Sequence, residues 1–149
     1  MYGIEEFDKQ KTKVLKYIIY KKRTEKEIRN KFSNSIQEDL LEDIIEDLKE
    51  NKYIDDSSYI KRAVDEYINL NTLSIKEIKY KLYSKGLDND TIEDYIYNNL
   101  EEMEEYELES AKKIVLKKQS LMEKDEIKAF LNRKGYKQES IKAALGDEI

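Results

Sequence analysis

Three features of the chain predict an all-α protein. Proline is absent and glycine occurs only four times in 149 residues, so almost nothing interrupts a helix once it has started. Charged residues make up 41% of the chain, which suits helices whose outer faces carry Lys and Glu. Apolar residues recur with the three-and-four spacing of a helix along most of the sequence.

Taken in order, the first apolar stripe is Val14, Leu15, Ile18 and Ile19. Thr24 with Glu27 fits a capping box, in which hydroxyl and carboxylate satisfy reciprocal backbone donors at a helix start, and opens the run Ile28, Phe32. Leu40, Leu41, Ile44, Ile45 and Leu48 form the next stripe. Asp55 and Asp56 then supply an N-cap for a helix with Tyr59, Ile60, Ala63, Val64, Tyr67 and Ile68. A second capping box, Ser74 with Glu77, opens Ile75, Ile78 and Leu82, and Ile92, Tyr95, Ile96 and Leu100 follow. Leu108, Ala111 and Val115 mark a long helix around 105 to 118. A third box, Ser120 with Glu123, leads to Ile127, Phe130 and Leu131, and Ile141, Ala144 and Leu145 end the series. About nine short helices are expected.

Some of these elements repeat. "KLYSKGLDNDTI" at 81 to 92 returns as "FLNRKGYKQESI" at 130 to 141. In each phrase a glycine, Gly86 or Gly135, sits where a left-handed residue ends a helix, followed by an apolar residue, Leu87 or Tyr136, that packs on the last turn. Lys85 and Lys134 before the glycines suit the negative helix end. A looser third copy aligns Ile28, Phe32, Ile36 and Leu41, with Asn34 near the glycine position. The period near 50 residues predicts an elongated tandem array of three three-helix repeats, the last one shortened. The expected segments are 1–70 (an N-terminal helix plus the first repeat), 71–119 (the second) and 120–149 (the truncated third, which stops at "KAALGDEI"). Residues 69 to 73 and 119 to 122 are the candidate flexible joints.

Composition also removes classes of function. Without cysteine or histidine, disulfides, thiolate metal sites and the commonest acid–base and nucleophilic side chains are excluded. No stretch approaches the apolar length of a membrane span, and "MYGIEEFDKQ" has no core fit for a signal peptide, so a cytoplasmic location is expected. The acidic run Glu38, Asp39, Glu42, Asp43, Glu46, Asp47 and Glu50 alternates with the Leu and Ile stripe and therefore reads as a solvated helix face. No enzymatic activity, cofactor or metal is expected.

Charge is segmental. Residues 9 to 31 hold ten Lys or Arg against two Glu, whereas residues 53 to 107 hold six basic against fourteen acidic side chains. Basic tracts recur in all three segments, and their candidate partner-binding residues are Lys21, Lys22, Arg23 and Arg29 in the first, Lys112, Lys113, Lys117 and Lys118 in the second, and Arg133 and Lys134 in the third. Such tracts either face phosphate or an acidic protein surface or are solvated helix faces. Tyr17, Tyr20, Tyr80, Tyr83 and Tyr97 lie off the clearest core stripes and are candidates for base stacking.

Along nearly its whole length the sequence resembles the RecX family of regulatory proteins. "TEKEIRNKF" matches the family's Ser/Thr followed by a Glu-Leu-Arg-like triplet, and "NKYIDDSSYI" its Gly-Tyr-Leu-Asp-Asp phrase. "SKGL", "LESAKKIVLKK" and "NRKGY" match the second joint, the Ala- and Lys-rich helix and the third joint. Lys52 stands where the family has glycine, Ile60 where it has alanine, and lysine replaces arginine at several basic positions. The resemblance implies a protein that lodges on the RecA recombinase filament on DNA and restrains filament growth, ATP hydrolysis and strand exchange; a monomer is expected, since the repeated units already provide repeated contacts. The alternative is a helical nucleic-acid-binding or adaptor protein that acts without RecA; a net charge of −5 speaks mildly against the nucleic-acid form of it.

Overall fold

The computed structural model describes residues 2–146, so residue 1 and residues 147–149, at the outer ends of the first and third expected segments, lie outside the described residues. All regular structure among the described residues is helical: α1 (Ile4–Tyr20), α2 (Glu25–Phe32), α3 (Glu38–Glu50), α4 (Asp56–Leu70), α5 (Ile75–Ser84), α6 (Asn89–Asn98), α7 (Leu100–Lys118), α8 (Lys124–Lys134) and α9 (Gln138–Leu145). Among those residues no helix is long and apolar enough to cross a membrane. Close contacts gather the chain into two compact units, one of Met1–Lys61 with Lys85–Leu87, the other of Arg62–Ser84 with Asp88–Ile149.

In the first unit the stripe of α3 is the centre. Leu40, Leu41, Ile44, Ile45 and Leu48 are all buried, against Val14 and Ile18 of α1 and Ile28 and Phe32 of α2. Ile19, expected on the α1 stripe, is 74% exposed; at 100° per residue Val14 and Ile18 share a face that Ile19 turns away from. The Thr24–Glu27 capping box forms: Glu27 N–H donates to the Thr24 hydroxyl at 3.2 Å and Thr24 N–H to Glu27 Oε1 at 3.0 Å. Asp55 caps α4 by accepting from Ser58 N–H at 3.2 Å, while Asp56 reaches the first amide of α2, Glu25 N–H, at 3.1 Å.

In the second unit Ala111, Ile114, Ile127, Leu131, Tyr136 and Ile141 form one core cluster. The buried face of α7 runs through Met103, Tyr106, Glu107, Ser110, Ala111 and Ile114, so Leu108 and Val115 of the expected stripe are only half-buried flanks. Ser74 and Glu77 form the second capping box. The third does not form from Ser120: α8 begins one turn later, with Glu123 as N-cap and its N–H donated to Glu126 Oε1 at 3.1 Å. Residues 71 to 73, expected to be loose, are held by α7, since the Tyr106 hydroxyl donates to Leu73 O at 2.6 Å and Ser110 Oγ to Asn71 O at 3.3 Å.

The glycine joints have the expected geometry. Gly86 and Gly135 adopt φ of +96° and +91°, and Leu87 and Tyr136 after them are buried. Asn34 does not share it: α2 ends with Ser33 in the right-handed region, and both Ser35 and Ile36 N–H bond back to Phe32 O. The left-handed position of that segment is instead Lys52, at φ +61° after α3, where Tyr53 N–H closes on Leu48 O at 2.9 Å. This is the turn that favours glycine.

Two stability changes are expected from this geometry, both measured by urea unfolding. Lys52→Gly should stabilise by about 1 kcal/mol, because the side chain leaves a conformation that costs an L-residue about that much. Glu107→Gln should destabilise by about 2 kcal/mol: the fully buried carboxylate accepts from Ile75 N–H and Lys137 N–H, both at 2.8 Å, and an amide turns a donor toward one of them.

Candidate partner-binding surface

The predicted cations separate into groups with different surroundings. Arg29 is engaged within the fold: Nε meets Glu25 Oε2 at 3.0 Å and Nη1 meets Glu42 Oε1 at 2.6 Å, while Lys49 Nζ reaches Glu25 Oε1 at 2.8 Å. Burial alone would raise the Glu25 carboxyl, but the hydrogen bonds from Lys49 and Arg29 outweigh it and hold the group below its ordinary value. Glu42 is lowered chiefly by Arg29, and Arg29 in turn is pushed up, first by Glu42. Arg29 thus ties α2 to α3. Asp47 of the same acidic helix pairs with Lys11 at 2.5 Å.

Arg23 lies over the Tyr17 ring, its guanidinium carbon 4.1 Å from the centroid, with Lys31 Nζ at 5.7 Å, and Tyr17 stands edge-on to Phe32 at 5.6 Å. Arg23 Nε is buried without a hydrogen-bond partner. Lys21 and Lys22, in the segment after α1, are exposed.

In the second unit the structure draws predicted residues from two helices together. Lys118 Nζ of α7 sits 4.3 Å from the centroid of Phe130, with Lys134 Nζ at 5.8 Å and the Arg133 guanidinium carbon at 5.9 Å. Phe130, Arg133 and Lys134 are spaced i, i+3, i+4 on α8, which places both cations over the turn that carries the ring. Lys117, Lys118 and Lys134 also line a cleft of about 350 Å³ together with Thr72, Ile114, Leu121 and Phe130. Leu121 is 82% exposed. Lys134 is ion-paired to Glu77 at 3.0 Å. Lys112 and Lys113 lie outside this cleft, and Lys112 is 3.8 Å from Glu109 of its own helix. Ammonium groups beside apolar and aromatic side chains are the chemistry of a site for an anionic group with an apolar or aromatic anchor.

Phe130 as a hub was missed from sequence, where it read as a core residue; the signal available was the Arg-Lys pair three and four places on. Glu107 was missed as well, hidden within the acidic run "EEMEEYELES".

With the geometry in hand, comparison with known proteins places the chain. No family model matches it. The regulatory protein RecX of Finegoldia magna is 33% identical over 143 residues, covering 89% of this chain and 68% of that protein. The chain belongs to the RecX family. The regulatory protein RecX of Streptococcus mutans is 29% identical over 147 residues, covering 95% of the chain, which spans 56% of that relative's length. The fold agrees: the crystal structure of RecX from Lactobacillus salivarius superposes with a TM-score of 0.80 at 26% identity and 97% coverage of both chains. A second RecX crystal structure gives 0.79 at 26% identity, covering 95% of this chain and 73% of that one.

Two positions singled out in the sequence have a clear place in the structure. Lys52 occupies a left-handed turn, a backbone that glycine adopts without strain. The alanine replaced by Ile60 lies on the buried face of α4, where Ile60 is 2% exposed.

The Arg29 cluster carries a pH signature. A carboxyl whose pKa is lower folded than unfolded adds stability above its unfolded value and loses it as the pH falls toward the folded one. The contribution of Glu25 and Glu42 should therefore be full at neutral pH and fade below their ordinary value of 4.5. Arg29→Ala is expected to lower stability at pH 7 and to flatten its decline on acidification, as measured by urea unfolding at stepped pH; an unchanged acid slope would show that the cluster contributes nothing.

Proposed function

We propose that this RecX-family protein is a regulator of the RecA recombinase, binding the RecA–DNA filament and restraining filament extension, ATP hydrolysis and strand exchange. The observation that carries the reading is the convergence of Lys117, Lys118 and Lys134 on one cleft beside Ile114, Leu121 and Phe130, in a chain of RecX ancestry. A filament on DNA carries phosphate charge, and the cleft has the opposite charge to lie against phosphate or an acidic strip of the recombinase. In this reading the tandem segments 1–70, 71–119 and 120–149 give the chain more than one place to touch the polymer. It acts as a cytoplasmic monomer, carries no cofactor and catalyses no reaction.

The test is retention on RecA filaments assembled on single-stranded DNA, paired with RecA ATP hydrolysis. Wild-type protein should be retained and should slow hydrolysis well below one molecule per RecA. Lys117→Glu with Lys118→Glu should cut retention at least tenfold and abolish the slowing, while Arg29→Ala, whose side chain is occupied within the fold, should be retained as wild type. Equal retention of the double variant would remove the cleft from the interface, and slowing only at ratios that coat the DNA would favour the nucleic-acid-binding alternative.

A further inference from the structure

The cations of the acidic middle of the chain are not spread evenly. Of the six Lys and Arg residues between 53 and 107, four (Lys76, Lys79, Lys81 and Lys85) fall on or directly after α5. The same helix carries two tyrosines in water, Tyr80 at 73% and Tyr83 at 60% exposure. Ile75, Ile78 and Leu82 are buried, so Lys76, Tyr80 and Tyr83, at i, i+4 and i+7, form one line down the opposite side, with Lys79 and Lys81 flanking it. Among the described residues neither ring meets another aromatic ring or a cation.

Single exposed tyrosines need no explanation. This pair does, because the helix does not require it. Counting from the N-caps Thr24, Ser74 and Glu123, the positions of Tyr80 and Tyr83 are occupied by Asn30 and Ser33 in the α2 segment and by Ala129 and Asn132 in α8. Those helices form and pack without aromatics there. Two of the lysines have a role within the fold: the methylenes of Lys76 lie against Gly135, and Lys79 Nζ pairs with Glu93 Oε1 at 3.1 Å; Lys81 is exposed.

We infer that the outer face of α5 is a contact site for single-stranded nucleic acid, in which bases stack on Tyr80 and Tyr83 while Lys81, and Lys79 on exchanging its weak surface pair with Glu93, hold the phosphates. Flat exposed rings a turn apart with ammonium groups on both flanks match unpaired bases on a phosphate backbone. An acidic peptide would use the lysines and gain nothing from the ring faces, and a duplex keeps its bases out of reach. The site is independent of the α7–α8 cleft, and its net-acidic surroundings make it weak and strongly salt-dependent.

Fluorescence anisotropy of a dye-labelled oligothymidylate, with the whole chain, no recombinase and low salt, tests it. Wild type should bind. Tyr80→Ala with Tyr83→Ala should weaken binding at least tenfold, Tyr80→Phe with Tyr83→Phe should leave it within about twofold, and Lys79→Gln with Lys81→Gln should weaken it and reduce the salt slope. An abasic oligomer of equal length should bind as poorly to wild type as thymidylate does to the alanine pair. No binding by wild type, equal binding by the alanine pair or the abasic oligomer, or equal competition by polyglutamate would each overturn the inference. Unfolding midpoints of both tyrosine pairs, expected near wild type for exposed side chains, separate lost contact from lost fold.

Discussion

The arrangement rests on a hydroxyl that caps one helix and closes another. Thr24 Oγ1, fully buried, accepts from Glu27 N–H at the start of α2 and donates at 2.6 Å to Lys85 O, the carbonyl before Gly86. Ser74 Oγ does the same at the start of α5, accepting from Glu77 N–H and donating at 2.6 Å to Lys134 O, the carbonyl before Gly135. A helix start has spare donors and a helix end spare acceptors, and one hydroxyl serves both. The approach needs glycine twice over: φ is left-handed at both positions, and an added Cβ would stand 2.5 Å from Lys26 Cβ at Gly86 and 3.0 Å from Lys76 Cβ at Gly135. A carboxylate completes each set, Asp56 on the Glu25 amide and Glu107 on the Ile75 amide. Asp56, with burial as the main cause, is held above its ordinary value, whereas Glu107 takes a second amide, Lys137.

With caps, glycines and acids spent on joining helices, the outward faces of those helices are free to carry function. The cations divide along that line. Arg29 and its partners Glu25, Glu42 and Lys49 fasten α2 to α3. Lys117 and Lys118, on the last turn of α7, line a cleft to which α8 contributes Phe130 and Lys134. The long helices bring distant tracts of sequence to one place, so chemistry is set by what the joints allow to converge rather than by any local motif.

Much of this was legible in the sequence, and what was not had physical reasons. Two capping boxes and both glycine joints could be read because local geometry dictates the residue: few side chains tolerate φ near +90°. Asn34 misled because its segment has a different turn, a right-handed one, and the left-handed position had drifted to Lys52, a residue that carries no such signal. Ser120 misled because Glu123 caps α8 itself with Glu126 as partner, a pairing the Ser/Thr pattern does not include. The α7 stripe was read one face off, since Glu107 and Ser110 are buried as polar residues with partners and apolar periodicity passes over them. The grouping of Lys117, Lys118 and Lys134 was invisible for another reason: it depends on how α7 meets α8, and charge tracts say nothing about where two helices cross.

The most direct measurement of the central interaction is equilibrium unfolding of Ser74→Ala beside Ser74→Thr. Threonine is already the residue used at position 24 and keeps the hydroxyl, so it should lie within about 0.5 kcal/mol of wild type, whereas alanine leaves a buried carbonyl and a helix-start amide without their partner and should lose about 2 kcal/mol. Indistinguishable unfolding of alanine, threonine and wild-type serine would contradict the account.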